Sequence, residues 1–411
     1  MKRTTLLLIL INSFASCFAQ VSISQILKTG VWRAVLELQG HQLPFNLEVY
    51  KNNSDQYEIL LKNAEEKLLL DEVTVKGDSV DIALHIFDAN IKAKIQGNEL
   101  VGHFIKNYDK SFHAPFKAYY GQAYRYKRDK NQKSMPDFSG KYAVKFIHDK
   151  DTTVSVGIFK QFGDSLTGTF LTPTGDYRYL QGNIVNGKMQ MSAFDGNHAY
   201  MVYGEKQNAT TITGEFFSGK SSRETWIGEK NDNALMPDED KITFLKKGFD
   251  KISFTFPDSD GKKVSLSDPA YKDKVVVLQI LGSWCPNCLD ETNFLVPWYE
   301  KNKSRDVKII GLAYERKAEF AYASERVRKM VSRLKMTYPV LIAGTSDKAN
   351  ASKTLPMLNE VFAFPTTIFI GKDGKVKKIH TGFTGPGTGT YYEEFIEYYN
   401  QTINDLLAEK I

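Results

Sequence analysis

The sequence predicts a multidomain protein in which an all-β N-terminal part precedes an α/β C-terminal part. From about residue 31 to residue 229 the chain runs in short segments rich in Val, Ile, Phe and Tyr, such as FNLEVY and VSVGIF, which Gly, Asn and Asp turns separate. After a polar stretch, EKNDNALMPDEDK, apolar strands alternate with helical segments, which is the pattern of an α/β domain. The 411 residues suffice for two or three domains.

The N-terminus, MKRTTLLLILINSFASCFAQ, predicts a secretory signal peptide over residues 1–19. Lys2 and Arg3 precede an apolar run that is far shorter than the roughly 20 residues of a membrane span. A buried N-terminal helix is the alternative. The segment FASC loosely resembles a lipoprotein processing site, so contact with a membrane is expected only if a lipid is attached at Cys17. We therefore expect an exported protein of the bacterial periplasm or envelope.

The β-rich accessory domain is predicted over residues 20–229, with a barrel-like or sandwich-like fold. GNELVGHF, GDSLTGTF and TTITGEF share an aliphatic-x-Gly-x-Phe core, and the stretches that begin at Gly30 and Gly140 look alike at an offset of about 110 residues. A duplication with halves at about 30–128 and 140–229 explains both features, and chance similarity is the alternative. The large aromatic residues of this part are expected in its core: Trp32, Phe45, Tyr57, Phe104, Phe170 and Tyr200.

The α/β part is predicted over residues 250–411, after a linker at 230–249. Its strands are KVVVLQILGSW, DVKIIGLAY, YPVLIAG and FPTTIFIG, and the first is apolar throughout, as in a strand buried on both faces. Helical patterns cover residues 289–301 and 317–336, and two more begin at ASKTLPMLNEVF and YYEEFIEYY.

Charge and cysteine content limit the function classes. The formal net charge is +6, but Lys and Arg are spread along the chain without a basic block between aromatic residues, so nucleic acid is not an expected partner. If the signal peptide is cleaved after Ala19, Cys17 leaves with it, and Cys285 and Cys288 are the two cysteines that remain. A bridge between Cys285 and Cys288 closes too short a loop to stabilise much, although exported compartments permit it. The pair therefore indicates redox chemistry.

This pair lies where a buried strand ends and a helix begins. The helix N-terminus stabilises a thiolate, so Cys285 is the predicted nucleophile and Cys288, one turn later, the resolving residue. Pro286 suits the first helical turn. A structural zinc site would need four ligands, and no second cysteine or histidine pair supplies them. No metal or cofactor is therefore predicted, and two inert thiols are the other alternative.

The motif GSWCPNC after an apolar strand resembles the thioredoxin superfamily, and within it the TlpA/ResA-like exported thiol–disulfide oxidoreductases. The resemblance runs from about Phe254 to the C-terminus and includes the lead-in FTFPDSDGKKVSLSD, a hairpin in that family. It implies a thioredoxin fold, a redox-active disulfide between Cys285 and Cys288, and protein thiols or disulfides as substrates. It also implies a reductase direction and an upstream exported or membrane redox donor.

Further site residues follow from the same resemblance. FAFPTTIFI is similar to the cis-proline strand, which makes Pro365 the cis residue and the backbone before it, at Phe364, a substrate-binding strand. Trp284 and Pro286 flank Cys285 and are the other substrate-binding residues. Glu291 matches an acidic residue beside the pair and is expected to exchange a proton with Cys288. An ordinary trans proline and an acid that only complements the helix dipole are the alternatives.

Gln279 stands where thioredoxin carries a buried aspartate, six residues before Cys285, and it cannot titrate. If proton transfer is assisted, Glu291 is the only local candidate for the acceptor. Two other functions are alternatives. The chain could be a thiol peroxidase, although SWCPNC departs from the required Thr-x-x-Cys setting. It could also be a binding protein whose β-rich domain captures a ligand or partner while the redox module is accessory.

Overall fold

A computed structural model describes residues 26–128 and 135–410. The expected signal peptide and Cys17 lie outside these residues. Within them the chain forms two large antiparallel sheets, followed by a five-stranded mixed sheet flanked by helices. The multidomain fold, with β-rich units before a thioredoxin fold, is confirmed.

The first sheet is an antiparallel meander of nine strands in the order β4-β3-β2-β1-β9-β8-β7-β6-β5. Its strands are β1 (Gly30–Leu38), β2 (His41–Lys51), β3 (Tyr57–Asn63), β4 (Glu66–Leu70), β5 (Val73–Lys76), β6 (Ser79–Ala83), β7 (Ala89–Gln96), β8 (Glu99–Lys106) and β9 (Asp109–Tyr120). Strand β1 pairs with both β2 and β9, so the chain closes back on its own beginning.

The second sheet also has nine strands, in the order β11-β10-β18-β17-β16-β15-β14-β12-β13, and a further pairing of β11 with β12 closes it into a barrel. Its strands are β10 (Gly140–His148), β11 (Asp151–Phe162), β12 (Ser165–Thr172), β13 (Gly175–Asp176), β14 (Leu180–Val185), β15 (Lys188–Phe194), β16 (Ala199–Lys206), β17 (Thr211–Ser218) and β18 (Ser222–Lys230).

The two sheets share a strand order, which supports their interpretation as a repeat. In each, the first strand lies between the second and the last, and the following strands run as a meander. The repeated Gly-x-Phe has a physical cause. A Cβ at Gly102 would lie 1.9 Å from the carbonyl oxygen of Lys92, and one at Gly214 2.0 Å from that of Tyr203. A larger residue at either position would collide with the neighbouring strand, so glycine allows the two strands to lie close together there.

Each sheet encloses its own apolar core. Trp32, Phe45 and Phe104 are fully buried within the first sheet, and Phe170 lies inside the barrel. These four aromatic residues are core residues as predicted. Tyr200 is likewise buried in the barrel core, as predicted, whereas Tyr57 is only half-buried at the edge of the first core. The outer face of the barrel covers the first sheet through its own apolar side chains: Phe194, Ala199, Met201 and Phe217.

The C-terminal unit begins with a hairpin of β19 (Thr255–Pro257) and β20 (Lys263–Ser265), as the lead-in segment predicted. Its central sheet has the order β23-β22-β21-β24-β25. Strands β21, β22 and β23 pair in parallel, β24 pairs antiparallel with β21, and β25 pairs antiparallel with β24. The remaining elements are β21 (Val275–Leu281), α1 (Pro286–Asn302), β22 (Val307–Glu315), α2 (Phe320–Leu334), β23 (Val340–Thr345), α3 (Lys348–Thr354), β24 (Thr366–Ile370), β25 (Val376–Thr381) and α4 (Thr390–Ala408).

Two elements differ from the predicted pattern. Helix α3 ends at Thr354 rather than continuing through LPMLNEVF, because Pro356 disfavours the helical conformation at Leu355. Strand β25 was not predicted, since its sequence VKKIHT is short and only partly apolar. It pairs with β24 and forms one edge of the sheet.

The C-terminal unit is docked on both β-sheets. Tyr322 of α2 donates a hydrogen bond to Asp88 at 2.8 Å, and Lys329 of the same helix pairs with Glu72 at 2.9 Å. Ile86 and Phe87 of the first sheet pack into the core of the C-terminal unit. The β-rich part is therefore placed directly beside the elements that carry the cysteines.

Candidate functional site

The cysteine pair sits at the end of the fully buried central strand β21. Cys285 is the N-cap of α1, and its Sγ accepts a hydrogen bond from the backbone N–H of Cys288 at 3.1 Å. The two residues form a disulfide, with Cα atoms 5.2 Å apart. After reduction the same N–H group and the positive end of the helix dipole face the sulfur of Cys285. This position suits a thiolate, as the sequence predicted.

A cis peptide bond lies opposite the pair. The Phe364–Pro365 bond is cis, as expected, and it leads into β24. The carbonyl oxygen of Phe364 lies 3.4 Å from Sγ of Cys285. The backbone just before the proline therefore runs alongside the reactive sulfur, where an incoming substrate strand could pair with it.

Trp284 is fixed beside the disulfide by three neighbours. Its Nε1 donates to the carbonyl oxygen of Tyr314 at 2.8 Å, and its ring meets Phe364 edge to face at 5.5 Å. The guanidinium of Arg316 lies 3.8 Å from the ring centroid. Gly282 leaves the space for this ring, since a Cβ there would lie 2.2 Å from Nε1. The indole therefore forms one firm wall of the site.

Glu291 is buried behind the pair and held by two donors. Gln279 donates to its Oε2 at 2.8 Å, and the hydroxyl of Thr367 donates to its Oε1. Gln279 is itself oriented by Tyr338, which donates to its Oε1 at 3.1 Å. Burial raises the pKa of Glu291 to about 7, although the two hydrogen bonds lower it. The position is an interior one, unlike that of a surface acid that only complements the helix dipole.

Both cysteines are buried, at 4% exposure for Cys285 and 1% for Cys288. The two residues therefore differ little in their access to solvent. Both cysteines have little access to solvent because residues of the barrel face Cys285. A cavity of about 190 Å³ separates Cys285, Trp284 and Phe364 from barrel residues, among them Tyr177 and Tyr200. Tyr200 thus lines the site instead of belonging only to the barrel core.

Residues 172–178 of the barrel, here called the cover segment, contact the loop that holds the cysteines. Asn287, between the two cysteines, donates to the carbonyl oxygen of Asp176 at 2.9 Å. The carboxylate of Asp176 accepts a hydrogen bond from the backbone N–H of Gly385 at 2.7 Å. A Cβ at Gly175 would lie 2.9 Å from Nδ2 of Asn287, so the segment approaches as closely as its backbone allows.

Arg178, the last residue of the cover segment, joins all three units. Its guanidinium donates to the carbonyl oxygen of Pro286 at 2.7 Å and pairs with Asp290 of α1. It also pairs with Glu66 of the first sheet and lies 3.4 Å from the carboxylate of Asp195 in the barrel. Burial opposes the charge on Arg178, but the three carboxylates raise its pKa above the ordinary value. One buried cation therefore ties the barrel and the first sheet to the start of α1.

The contributions of the β-rich part could not be found from the sequence. Arg178 and Asp290 are 112 residues apart, and GDYRYL has no periodicity that distinguishes it from other turns. One weak signal was present, since Asp290 and Glu291 both follow the cysteine motif closely. Only Glu291 was singled out, whereas the structure gives Asp290 a partner in another unit.

The described residues hold no helix long and apolar enough to cross a membrane. Across residues 26–128 and 135–410, no group of three or more His, Cys, Asp or Glu side chains is arranged to hold a metal ion.

A disulfide at a strand–helix junction, opposite a cis proline, in a sheet that mixes parallel and antiparallel strands is the arrangement of a thioredoxin-fold oxidoreductase. The comparisons with known proteins agree. Residues 246–394 match the Redoxin family model. A thiol–disulfide oxidoreductase ResA from Geobacillus thermodenitrificans is 30% identical over 140 residues, which are 34% of this chain and 72% of that protein. One from Bacillus thuringiensis is 33% identical over 132 residues, or 32% of this chain and 68% of that protein.

Through this region the chain belongs to the ResA family of thiol–disulfide oxidoreductases. Among solved structures, a thiol–disulfide oxidoreductase from Bacteroides fragilis is 19% identical, with a TM-score of 0.26, and the match covers 36% of this chain and 99% of that one.

Proposed function

We propose that this chain is an exported thiol–disulfide oxidoreductase that reduces protein disulfides through Cys285 and Cys288. The observation that carries the proposal is the placement of Sγ of Cys285, at the N-terminus of α1 and 3.4 Å from the carbonyl oxygen before the cis proline. The N-terminus of α1, the sulfur of Cys285 and the backbone proposed to pair with a substrate are therefore adjacent.

In the proposed reaction the thiolate of Cys285 attacks a substrate disulfide and forms a mixed disulfide. Cys288 then attacks Sγ of Cys285, which releases the substrate thiol and leaves the disulfide seen in the structure. An upstream thiol donor, exported or in the membrane, returns the pair to its reduced state. The reductase direction follows the family resemblance.

Substrate binding is assigned to four residues around Cys285. Phe364 offers its backbone, and Pro365 holds that backbone in place through the cis bond. Trp284 supplies a rigid apolar wall, and Pro286 begins the helix. Since the cavity measures about 190 Å³, we expect a substrate to present its disulfide on a flexible segment rather than on a packed surface.

Glu291 is the proposed proton acceptor for Cys288. Both residues lie on α1, three positions apart and so on one side of the helix. A carboxyl whose pKa burial raises to about 7 can both take and return a proton near neutral pH. Gln279, which cannot titrate, holds this carboxyl in place by its hydrogen bond.

The domain organisation is a proposal of the same kind. It consists of a signal peptide at 1–19, a β-rich part at 20–229, a linker at 230–249 and the oxidoreductase part at 250–411. Each sheet has its own core, which supports the division, and Ile86 and Phe87 of the first sheet join the core of the C-terminal unit. Export rests on the N-terminal sequence, and attachment to a membrane depends on a lipid at Cys17.

An insulin-reduction assay with the mature full-length protein and dithiothreitol tests the proposal. We expect insulin to precipitate faster with the wild type than with reductant alone, and Cys285→Ser to abolish the acceleration. Ser283→Ala, two residues before Cys285, is a control that keeps both sulfurs. Equal rates with the wild type and Cys285→Ser would refute the function.

A further inference from the structure

The cavity in front of Cys285 has a histidine on its far wall. His198 comes from the connection between β15 and β16 of the barrel, and it lines the same cavity of about 190 Å³ as Cys285. Its side chain is 24% exposed. A titratable ring from the β-rich part therefore shares a small compartment with the reactive sulfur.

The ring of His198 is held in one orientation. Its Nδ1 lies 3.0 Å from Oδ2 of Asp195, and it stacks on Tyr200 with ring centroids 4.8 Å apart. The other oxygen of Asp195 accepts backbone N–H groups of Asn197 at 3.0 Å and of His198 at 2.7 Å. Because an ionised carboxylate only accepts hydrogen bonds, Nδ1 carries a proton and Nε2 is the nitrogen left to exchange one.

The environment of Asp195 favours its ionised form, which can hold the ring of His198 through Nδ1. Burial alone would raise the pKa of Asp195, but His198, Arg178 and the backbone N–H of Asn197 lower it. Arg178, 3.4 Å from the same carboxylate, also holds the start of α1. One network of contacts therefore fixes both the histidine and the helix that carries the cysteines.

We propose that His198 is a further catalytic residue, which protonates the sulfur that leaves a substrate disulfide in this cavity. The inference rests on the proposed function, since it concerns the same disulfide exchange. It assigns part of the active site to the β-rich part of the chain, with Asp195 as the positioning residue.

The step balances as follows. The thiolate of Cys285 forms a bond to one sulfur of the substrate disulfide, and the bond between the two substrate sulfurs breaks. Its electron pair stays with the departing sulfur, which takes the proton from Nε2 of the His198 imidazolium. The neutral ring regains a proton from water. The upstream thiol donor supplies the two electrons that restore the enzyme.

Other charged and titratable groups face the cavity and must be considered in any pH profile. The cover segment contributes Asp176 and Tyr177, and α3 contributes Lys348, whose pKa burial lowers. Burial raises the pKa of Asp176 and of Tyr177. Among the residues that line the cavity, His198 is the one whose side chain has a carboxylate partner, Asp195, that fixes its orientation.

The test compares two disulfide probes with the reduced full-length protein. Bis(2-hydroxyethyl) disulfide releases a basic alkyl thiolate that needs a proton, whereas 5,5′-dithiobis(2-nitrobenzoic acid) releases a stable aromatic thiolate that does not. We expect His198→Gln to slow the alkyl probe by about 10²-fold, within the usual range of general acid catalysis. The rate with the aromatic probe should stay within about 2-fold of the wild type, since it needs no acid.

His148→Gln is the matched control, because His148 lies at the exposed end of β10, outside the cavity. It should leave both rates unchanged. If His198→Gln slows both probes equally, or neither, the inference is overturned. If the wild type reacts with neither probe, the proposed function itself fails.

The wild type gives a second readout that does not depend on the folding of a variant. Its rate ratio of alkyl to aromatic probe should fall as pH rises, because only the alkyl probe uses a protonated acid in the cavity. A ratio that does not change with pH would also overturn the inference.

Discussion

Glu291→Gln removes the proposed proton acceptor while keeping its shape. The new amide can accept from Gln279 through its oxygen and donate to the hydroxyl of Thr367, so that both wild-type partners stay bonded. We expect resolution of a mixed disulfide by Cys288 to slow by about 10²-fold. Attack by Cys285 on a substrate should change much less. Stopped-flow measurement of a preformed mixed disulfide separates the two steps.

The same substitution has a predictable effect on stability. Burial raises the pKa of Glu291 from 4.5 to about 7, so the folded protein holds this proton more tightly than the unfolded chain does. The group's stabilisation is complete below pH 4.5 and is lost as pH rises through 7. At about 1.4 kcal/mol per pKa unit, the loss amounts to roughly 3 kcal/mol. Burial also raises the pKa of Asp290 to about 7, so denaturant unfolding of the oxidised protein should show a pH-dependent loss in both proteins, smaller in Glu291→Gln by this amount.

Glu300→Gln is the control, since Glu300 lies on the same helix but on its exposed side. It should change neither the resolution rate nor the loss of stability between pH 4.5 and 7, because the hydrogen bonds to Lys303 and Thr337 lower the pKa of Glu300. An unchanged resolution rate in Glu291→Gln would refute the catalytic role. A pH dependence of stability equal to that of the wild type would refute the buried, raised-pKa carboxyl.

Three further predictions follow from the site and its supports. In Cys288→Ser, the thiolate absorbance of Cys285 should titrate with a midpoint below the roughly 8.5 of a free cysteine, and a midpoint at or above it would refute the helix-terminus argument. Arg178→Met leaves three buried carboxylates without their cation and should lower the free energy of unfolding by about 3–5 kcal/mol in chemical denaturation. The control Arg223→Met breaks an exposed pair and should lower it by less than about 1 kcal/mol. Equal losses in the two variants would contradict the network around Arg178. Residues 20–229 should fold alone and lack thiol–disulfide activity, and a circular dichroism spectrum without β-structure would reject that boundary.

The redox pair and its fold could be predicted because their signals are local. Cys285, Pro286 and Cys288 follow directly on an apolar strand, and the strand, turn and helix all lie within one short window. Pro365 could be placed only through the family resemblance, because a sequence window does not show whether a proline bond is cis. The predicted alternation of strands and helices holds for the same local reason.

The β-rich contribution depends on contacts that no local pattern encodes. Arg178 meets Asp290 and Glu66 across a separation of 112 residues in each case, and neither segment carries a motif. The hydrogen-bond partners of Glu291 could not be predicted from the sequence either, since Thr367 lies on β24, far along the chain. Gln279 was noted as a departure from thioredoxin, but its role as a donor to Glu291 required the folded sheet.

The most direct test of the central claim is the capture of the mixed disulfide. Reduced Cys288→Ser is mixed with a disulfide-containing peptide, and the adduct is mapped by peptide mass spectrometry without reductant. We predict one peptide per protein, attached at Cys285, and rapid release of the peptide when Cys288 is intact. No adduct in Cys288→Ser, or an equal adduct in Cys285→Ser, would contradict the assignment of Cys285 as the nucleophile.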